Sequence, residues 1–180
     1  MKFLRSHVHV IAIDGILDRT GGKKSNLPEN DQYLTFIDKR IEDVNNLSDI
    51  IDSTDLIISS MGWTSHIDSI SCPFYDLELN TKSHITLVNT LKDFPNKQVI
   101  YLGSRGQYGK QNQKKLYENG LFSPSDVQGI NKVASEYYYK IYSDIFNFNA
   151  ISIRFPACFG RNQMVDGDDI GCKNYYNISF

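Results

Sequence analysis

The chain has 180 residues, 41% apolar and 22% charged, enough for one ordinary hydrophobic core and too few for two large ones. Its 19 basic and 21 acidic side chains leave a net charge of −2 and form no like-charge block, which argues against a nucleic-acid or anionic-lipid surface. Apolar runs are strand-length, far below the ~20 residues that cross a bilayer, and Met1-Lys-Phe-Leu-Arg5 leads to His7 and His9 rather than to a signal-like segment, so a cytoplasmic chain is expected.

In chain order, residues 8–14, 34–38, 56–60, 99–104 and 150–155 are short apolar, β-branched runs that read as buried strands, with helix-length segments between several of them. This alternation predicts an α/β fold with a parallel sheet flanked by helices. Gly21-Gly22-Lys23-Lys24 lacks the first glycine and the strand-to-helix setting of a phosphate loop, so it reads as a turn. Pro73 opens a helical pattern over 73–91, and Ser125-Asp126 opens another over 126–146. In the second, Val127, Ile130, Ala134, Tyr137, Ile141 and Ile145 recur at helical spacing and are expected in the core. Gln128 and Lys132 fall together on the opposite face, pointing either at a site or simply into solvent. Residues 162–180 are polar, carry Gly167 and Gly171, and are expected to form an irregular tail.

Cys72, Cys158 and Cys172 are scattered without a CxxC pair, which predicts reduced thiols rather than a disulfide or zinc framework. His7 and His9 share one side of a strand but have no third ligand at suitable spacing, so no metal is expected. The sequons at Asn46 and Asn177 are expected to be chance matches, since a cytoplasmic chain is expected.

The most informative stretch is Val99-Ile-Tyr-Leu-Gly-Ser104-Arg-Gly-Gln-Tyr108-Gly-Lys110, followed by Gln128-Gly-Ile-Asn-Lys132 and by Ile153-Arg154-Phe155-Pro156 with Phe159-Gly160. With Asp14 ending the first strand, Met61-Gly62 after the third, and Pro73, Asp76 and Asn80 on a helix, this order resembles the NAD-dependent epimerase/dehydratase family, the extended short-chain dehydrogenase/reductases acting on nucleotide sugars. The resemblance runs from about His7 to Arg161 and implies a partial Rossmann-like NAD-binding domain over 1–161. It implies that Asp14, with Gly15 beside it, holds the adenosine ribose, favouring NAD over NADP, and that Ile41 lies beside the adenine. Ser60, Met61 and Gly62 would run under the cofactor, Asn80 would brace the active-site helix, and Phe155 would pack against the nicotinamide. Ser104 would bond the substrate hydroxyl and Lys132 the nicotinamide ribose. Read without the resemblance, Asp14 caps a turn, Asn80 is a buried helix polar group, and Ser104 ends a strand.

Three departures qualify this. Gln128 stands where the family has its proton-transferring tyrosine, and an amide does not titrate. The 126–132 segment and Ser65–Ser69 resemble a bacterial subgroup with such an amide, in which another acid, Tyr108, Tyr137 or a substrate group, would have to act. Ala157 replaces an asparagine that touches the nucleotide sugar. The chain also starts after the family's first strand and glycine-rich loop, with residues 1–6 resembling the end of the helix that follows them. In the usual order 3-2-1-4-5-6 that strand is central, so a doubly wound sheet lacking it is expected to divide. Two strand edges of about five residues would go unpaired at ~1 kcal/mol per hydrogen bond, against a typical stability of ~5–15 kcal/mol. The expected function is part of a nucleotide-sugar epimerase, dehydratase or reductase using NAD, inactive as this chain alone, with a nucleotide-diphosphate sugar as substrate and a homodimer through helices 73–91 and 126–146. The rival expectation is a non-catalytic dinucleotide-fold binding or assembly module.

Overall fold

A computed structural model describes residues 8–111, 115–156 and 158. Residues 1–6, His7, Ala157, Phe159-Gly160, Arg161, the 162–180 tail with Cys172, and the Asn177 sequon lie outside the described residues. The chain forms two compact units, residues 1–45 and 46–180.

The first unit holds β1 (Val10–Ile13) and β2 (Leu34–Ile37), paired in parallel with Val10 opposite Leu34 and Ile13 opposite Ile37. The second holds α1 (Leu47–Asp52), β3 (Leu56–Ser59), α2 (His66–Ser71), α3 (Pro73–Leu77), a π-helical turn (Glu78–Lys82), α4 (Ser83–Leu91), β4 (Gln98–Ser104), α5 (Val127–Phe146) and β5 (Asn149–Phe155). Its parallel sheet has the order β3-β4-β5, with Leu56 opposite Gln98 and Ser104 opposite Phe155. All five expected strands form, in two separate sheets whose orders are those a doubly wound sheet keeps on either side of its central strand.

Local chemistry explains the helices of the second unit. Pro73 supplies the fixed φ of a first helical turn, and α3, the π turn and α4 together cover the expected 73–91 helix. Helix α5 starts where the Asp126 carboxylate accepts from Gly129 N at 2.7 Å and stops at Asn147, whose left-handed φ of 58° turns its N–H onto Ser143 O.

The α5 stripe overturns one expectation. Ile130 is 55% exposed and Ile145 62%, with Tyr137 and Ile141 also exposed, while Gln128, Asn131, Lys132, Ser135 and Tyr139 are buried. The polar face is the inner one because the chain it meets, residues 61–63 and the π turn, offers backbone carbonyls and amide side chains that only polar partners satisfy. The strands are likewise not buried on both faces. Val99 and Tyr101 of β4 are covered, whereas Leu56, Ile58, Ile151, Ile153 and Phe155 on the other face are exposed, because α5 packs on one side of the sheet.

Candidate functional site

Beyond Ser59 the chain turns through Ser60-Met61-Gly62-Trp63, and side chains from the helices hold this turn from within. Lys132 Nζ donates to the Met61 carbonyl at 3.0 Å and His84 Nε2 to the same oxygen at 3.2 Å. The Trp63 carbonyl accepts from Gln128 Nε2 at 2.6 Å and Asn80 Nδ2 at 3.0 Å, while Trp63 N donates to Asn80 Oδ1 at 3.2 Å. Two carbonyls with two lone pairs each thus take four side-chain donors. Gly62 has φ +148°, and a Cβ there would stand 2.4 Å from Asn80 Oδ1 and 2.7 Å from Lys132 Nζ, so only glycine admits both groups.

Under this turn the groups are strongly desolvated. Burial pushes the Lys132 amine down to about 8, the Asp76 charge opposing the shift. Burial raises the Asp76 carboxyl, opposed by amide donors from Asn131 at 2.7 Å and Asn80 at 2.9 Å. His84 faces a carbonyl through Nε2, so that nitrogen carries the proton, and Nδ1 is the acceptor facing Ser59 Oγ at 3.0 Å and Tyr139 OH at 3.1 Å. Burial, reinforced by the Lys132 charge, pushes its pKa down to about 3, which keeps the ring neutral. The π turn is tied to α5 by Thr81 Oγ1 donating to Asn131 O and Ser135 Oγ donating to Asn80 O. Tyr101 OH donates to Lys132 O at 3.1 Å and anchors the same helix to the sheet.

At the end of β4, Ser104 closes a capping box. Its Oγ accepts from Gly106 N at 3.0 Å, and Gln107 Oε1 accepts from Ser104 N at 2.7 Å. Gln107 Nε2 donates to Glu136, which Arg154 grips through Nε and Nη2, and the guanidinium lies against the rings of Tyr108 and Phe122. Gly109, at φ +61°, admits no side chain because a Cβ would meet Ser123 O at 1.6 Å.

The structure therefore gathers Met61, Gly62, Asn80, Gln128 and Lys132 into one cluster, with exposed Ser60 at its edge. Ser104 and Phe155 end neighbouring strands in register. Asp14, Gly15 and Ile41 belong to the first unit, where the exposed Asp14 carboxylate accepts from Ile16 N at 2.8 Å and Ile41 is buried. Sequence reasoning missed His84, Ser59, Tyr139, Glu136 and the pair His66 and Asp126. Asp126 carries a visible helix-start pattern, but its meeting with His66 across 60 residues does not show in any local spacing.

A model of the NAD dependent epimerase/dehydratase family matches residues 4–171. The chain belongs to that family. This family member is 22% identical over 170 residues to a curated protein of Methanocaldococcus jannaschii, named provisionally as a UDP-glucose 4-epimerase. Among solved structures it is similar to a UDP-N-acetylglucosamine 4-epimerase from Methanobrevibacter ruminantium M1, with TM-score 0.85, 24% identity and 92% of this chain covered. It is also similar to a UDP-glucuronic acid 4-epimerase from Bacillus cereus, solved with UDP-glucuronic acid and NAD, with TM-score 0.81, 20% identity and 91% of this chain covered. These likenesses establish a Rossmann-like α/β fold. The chain spans about half the length of these relatives, 53% in each case.

The residues of the second unit suit the nicotinamide end of the family's cofactor. An ammonium, a serine hydroxyl and an exposed aromatic ring stand at or beside the carboxyl ends of parallel strands, where open α/β sheets take their ligands. No group of three or more metal-ligating side chains occurs among the described residues, and none of the helices described is long and apolar enough to cross a membrane.

Proposed function

We propose that this chain is the cofactor-binding and catalytic part of an NAD-dependent nucleotide-sugar epimerase, dehydratase or reductase. The observation that carries the reading is the clamped 61–63 turn with Lys132 beneath it and Ser104 at the neighbouring strand end, in a chain of this family. Bound NAD would supply a hydride acceptor. Lys132 would hold the nicotinamide ribose hydroxyls with an ammonium whose partial loss of charge near pH 8 follows from its burial. Ser60, Met61 and Gly62 would line the cofactor's path, Asn80 would hold that path in shape through both backbone groups of Trp63, and Phe155 would cover the nicotinamide. In the first unit Asp14, Gly15 and Ile41 would serve the adenosine ribose and adenine, the Asp14 carboxylate accepting ribose hydroxyls. Ser104 would bond a hydroxyl of a nucleotide-diphosphate sugar.

Trp63 is the chain's only tryptophan and lies buried in the clamped turn, edge-on to Tyr75. Its emission is expected to shift when NAD engages the turn, and unchanged emission at millimolar NAD would refute the cofactor reading. The second reading, a non-catalytic module that keeps the fold for binding or assembly, is favoured by the Gln128 amide, which faces inward onto Trp63 O. With the family's first strand and glycine-rich loop added, sugar-nucleotide turnover by Gln128→Tyr beside the parent separates the two, since a dead site gains activity only in the variant. The exposed Ile130, Tyr137, Ile141 and Ile145 on α5, with Phe74 and Leu77 on α3, fit burial against a second copy through the two long helical segments. A monomer mass in light scattering, unchanged by Ile141→Asp, would refute that assembly.

A further inference from the structure

The family chemistry needs a group that takes a proton from a sugar hydroxyl, and residue 128 cannot be that group. Its amide does not titrate, and its Nε2 is committed to the Trp63 carbonyl at 2.6 Å. The phenols nearby are engaged elsewhere. Tyr108 OH accepts from Arg154, Tyr101 OH donates to Lys132 O, and Tyr139 OH donates to Ser59 Oγ. Tyr137 sits on the exposed stripe of α5 beside Phe122.

One titratable ring stands at the right place. His66, the first residue of α2, holds the Asp126 carboxylate through Nδ1 at 2.9 Å, and Asp126 is the N-cap of α5. Because Asp126 also accepts from Gly129 N at 2.7 Å, both of its oxygens are engaged and its orientation is fixed. A carboxylate on Nδ1 sets the ring's tautomer and leaves Nε2 as the proton acceptor. The His66 side chain is 37% exposed, while Nδ1 is the nitrogen turned to Asp126. The position of Gly106 relates the ring to Ser104: a Cβ built there would lie 3.3 Å from Ser104 Oγ and 3.9 Å from His66 Cε1, the ring carbon between the two nitrogens. Gly106 thus stands between a serine hydroxyl and a carboxylate-held imidazole, and having no side chain it leaves both uncovered on its side. Ser104 Oγ accepts from Gly106 N, which leaves its own O–H proton to be donated.

We propose that His66, oriented by Asp126, replaces the missing phenol as the proton acceptor of this site, and that Ser104 and His66 together hold the reacting sugar hydroxyl. The role rests on the nucleotide-sugar reading above. In the forward step the hydroxyl O–H bond breaks and its proton passes to His66 Nε2. Bound NAD would accept the hydride released as the C–H bond breaks, and the freed O–H electron pair would close the ketone. The imidazolium formed is balanced by the Asp126 carboxylate, and reduction of the ketone returns the proton. His66 is the catalytic residue in this scheme and Asp126 a positioning residue.

Ring-nitrogen NMR of the full chain, with calorimetry on the same samples, provides the test. In the parent the neutral His66 ring is expected to carry its proton on Nδ1, and Asp126→Ala to move it to Nε2, with His84 as an unchanged internal control. Adding UDP-glucose with NAD is expected to shift the His66 Nε2 resonance, and Ser104→Ala to weaken that shift at least threefold. In turnover, with the family's first strand and glycine-rich loop added to the chain, His66→Asn is expected to lower kcat at least a hundredfold with KM within threefold. Bound UDP-glucose with an unmoved His66, an Nε2–H tautomer in the parent, or turnover unaffected by His66→Asn overturns the inference while leaving the nucleotide-sugar reading in place. No calorimetric binding of UDP-glucose overturns that reading and the role of His66 with it.

Discussion

Acid should unfold this chain partly through His84, and the size of the effect follows from where the ring sits. It is fully buried, its Nε2–H is given to Met61 O, and its Nδ1 accepts within the Ser59–Tyr139 network, so protonation would put a second donor against hydroxyls in a desolvated space already holding Lys132. The pKa is lowered to about 3 in the folded chain and takes its ordinary value of 6.5 when unfolded. Between those values the unfolded chain binds the extra proton, so stability falls as pH falls, by ~1.4 kcal/mol per pH unit well inside the window. From pH 7 to pH 4.5 the loss assigned to His84 is about 2 to 3 kcal/mol, a large share of a typical ~5–15 kcal/mol. Urea unfolding followed by Trp63 emission at both pH values measures it. Carboxylates also titrate in this range, so the quantity that matters is the difference from His84→Asn, whose stability should fall by about 2 kcal/mol less over the same interval. Equal losses in parent and variant, or a His84 ring titrating near 6.5 in the folded chain, would refute the reasoning.

Gly62→Ala should lose about 3 kcal/mol, because a methyl group at φ +148° collides with Asn80 Oδ1 and Lys132 Nζ; a chemical denaturation midpoint equal to the parent's would contradict the clamp. Gln128→Ala should lose only about 1 kcal/mol, since Asn80 still donates to the Trp63 carbonyl, and should shift Trp63 emission; a loss near that of Gly62→Ala would mean that the amide does more than hold this carbonyl. Glu136→Ala should cost about 3 kcal/mol by leaving the Arg154 guanidinium between two rings with only Tyr108 OH and Glu118 O as acceptors and no counter-charge, and Arg154→Met in the same chain should recover most of it; additive losses in calorimetric melting would refute coupling of the pair.

The strands were legible because each is a short apolar run with turn residues around it, and all five form within a few residues of their expected bounds. The long helices were legible from Pro73 and from the Asp126 cap. The direction in which α5 faces was not. Helical periodicity shows that two faces differ, and the rule that the apolar one turns inward holds where the neighbour is apolar. Here the neighbour is a turn with backbone carbonyls to satisfy, so Gln128, Asn131, Lys132 and Ser135 go inside and the isoleucines stay out. Ser104 shows a similar limit: its S-x-x-Q spacing announces a capping box, but only the fold sets that serine near an imidazole from another helix.

By itself the sequence determined the family, the α/β alternation and the elements, because these depend on residue order and on periodicities that act over a few positions. Tertiary structure decided which groups share a space. Lys132 and His84 converge on one carbonyl from positions 48 residues apart in number, and Gln128 and Asn80 on another, and burial there sets their charge states. The His66–Asp126 pair spans 60 residues and joins the starts of two helices. Such contacts are fixed by where parallel strands end and helices pack, and desolvation, the term that moves these pKa values, exists only once the chain has closed around them.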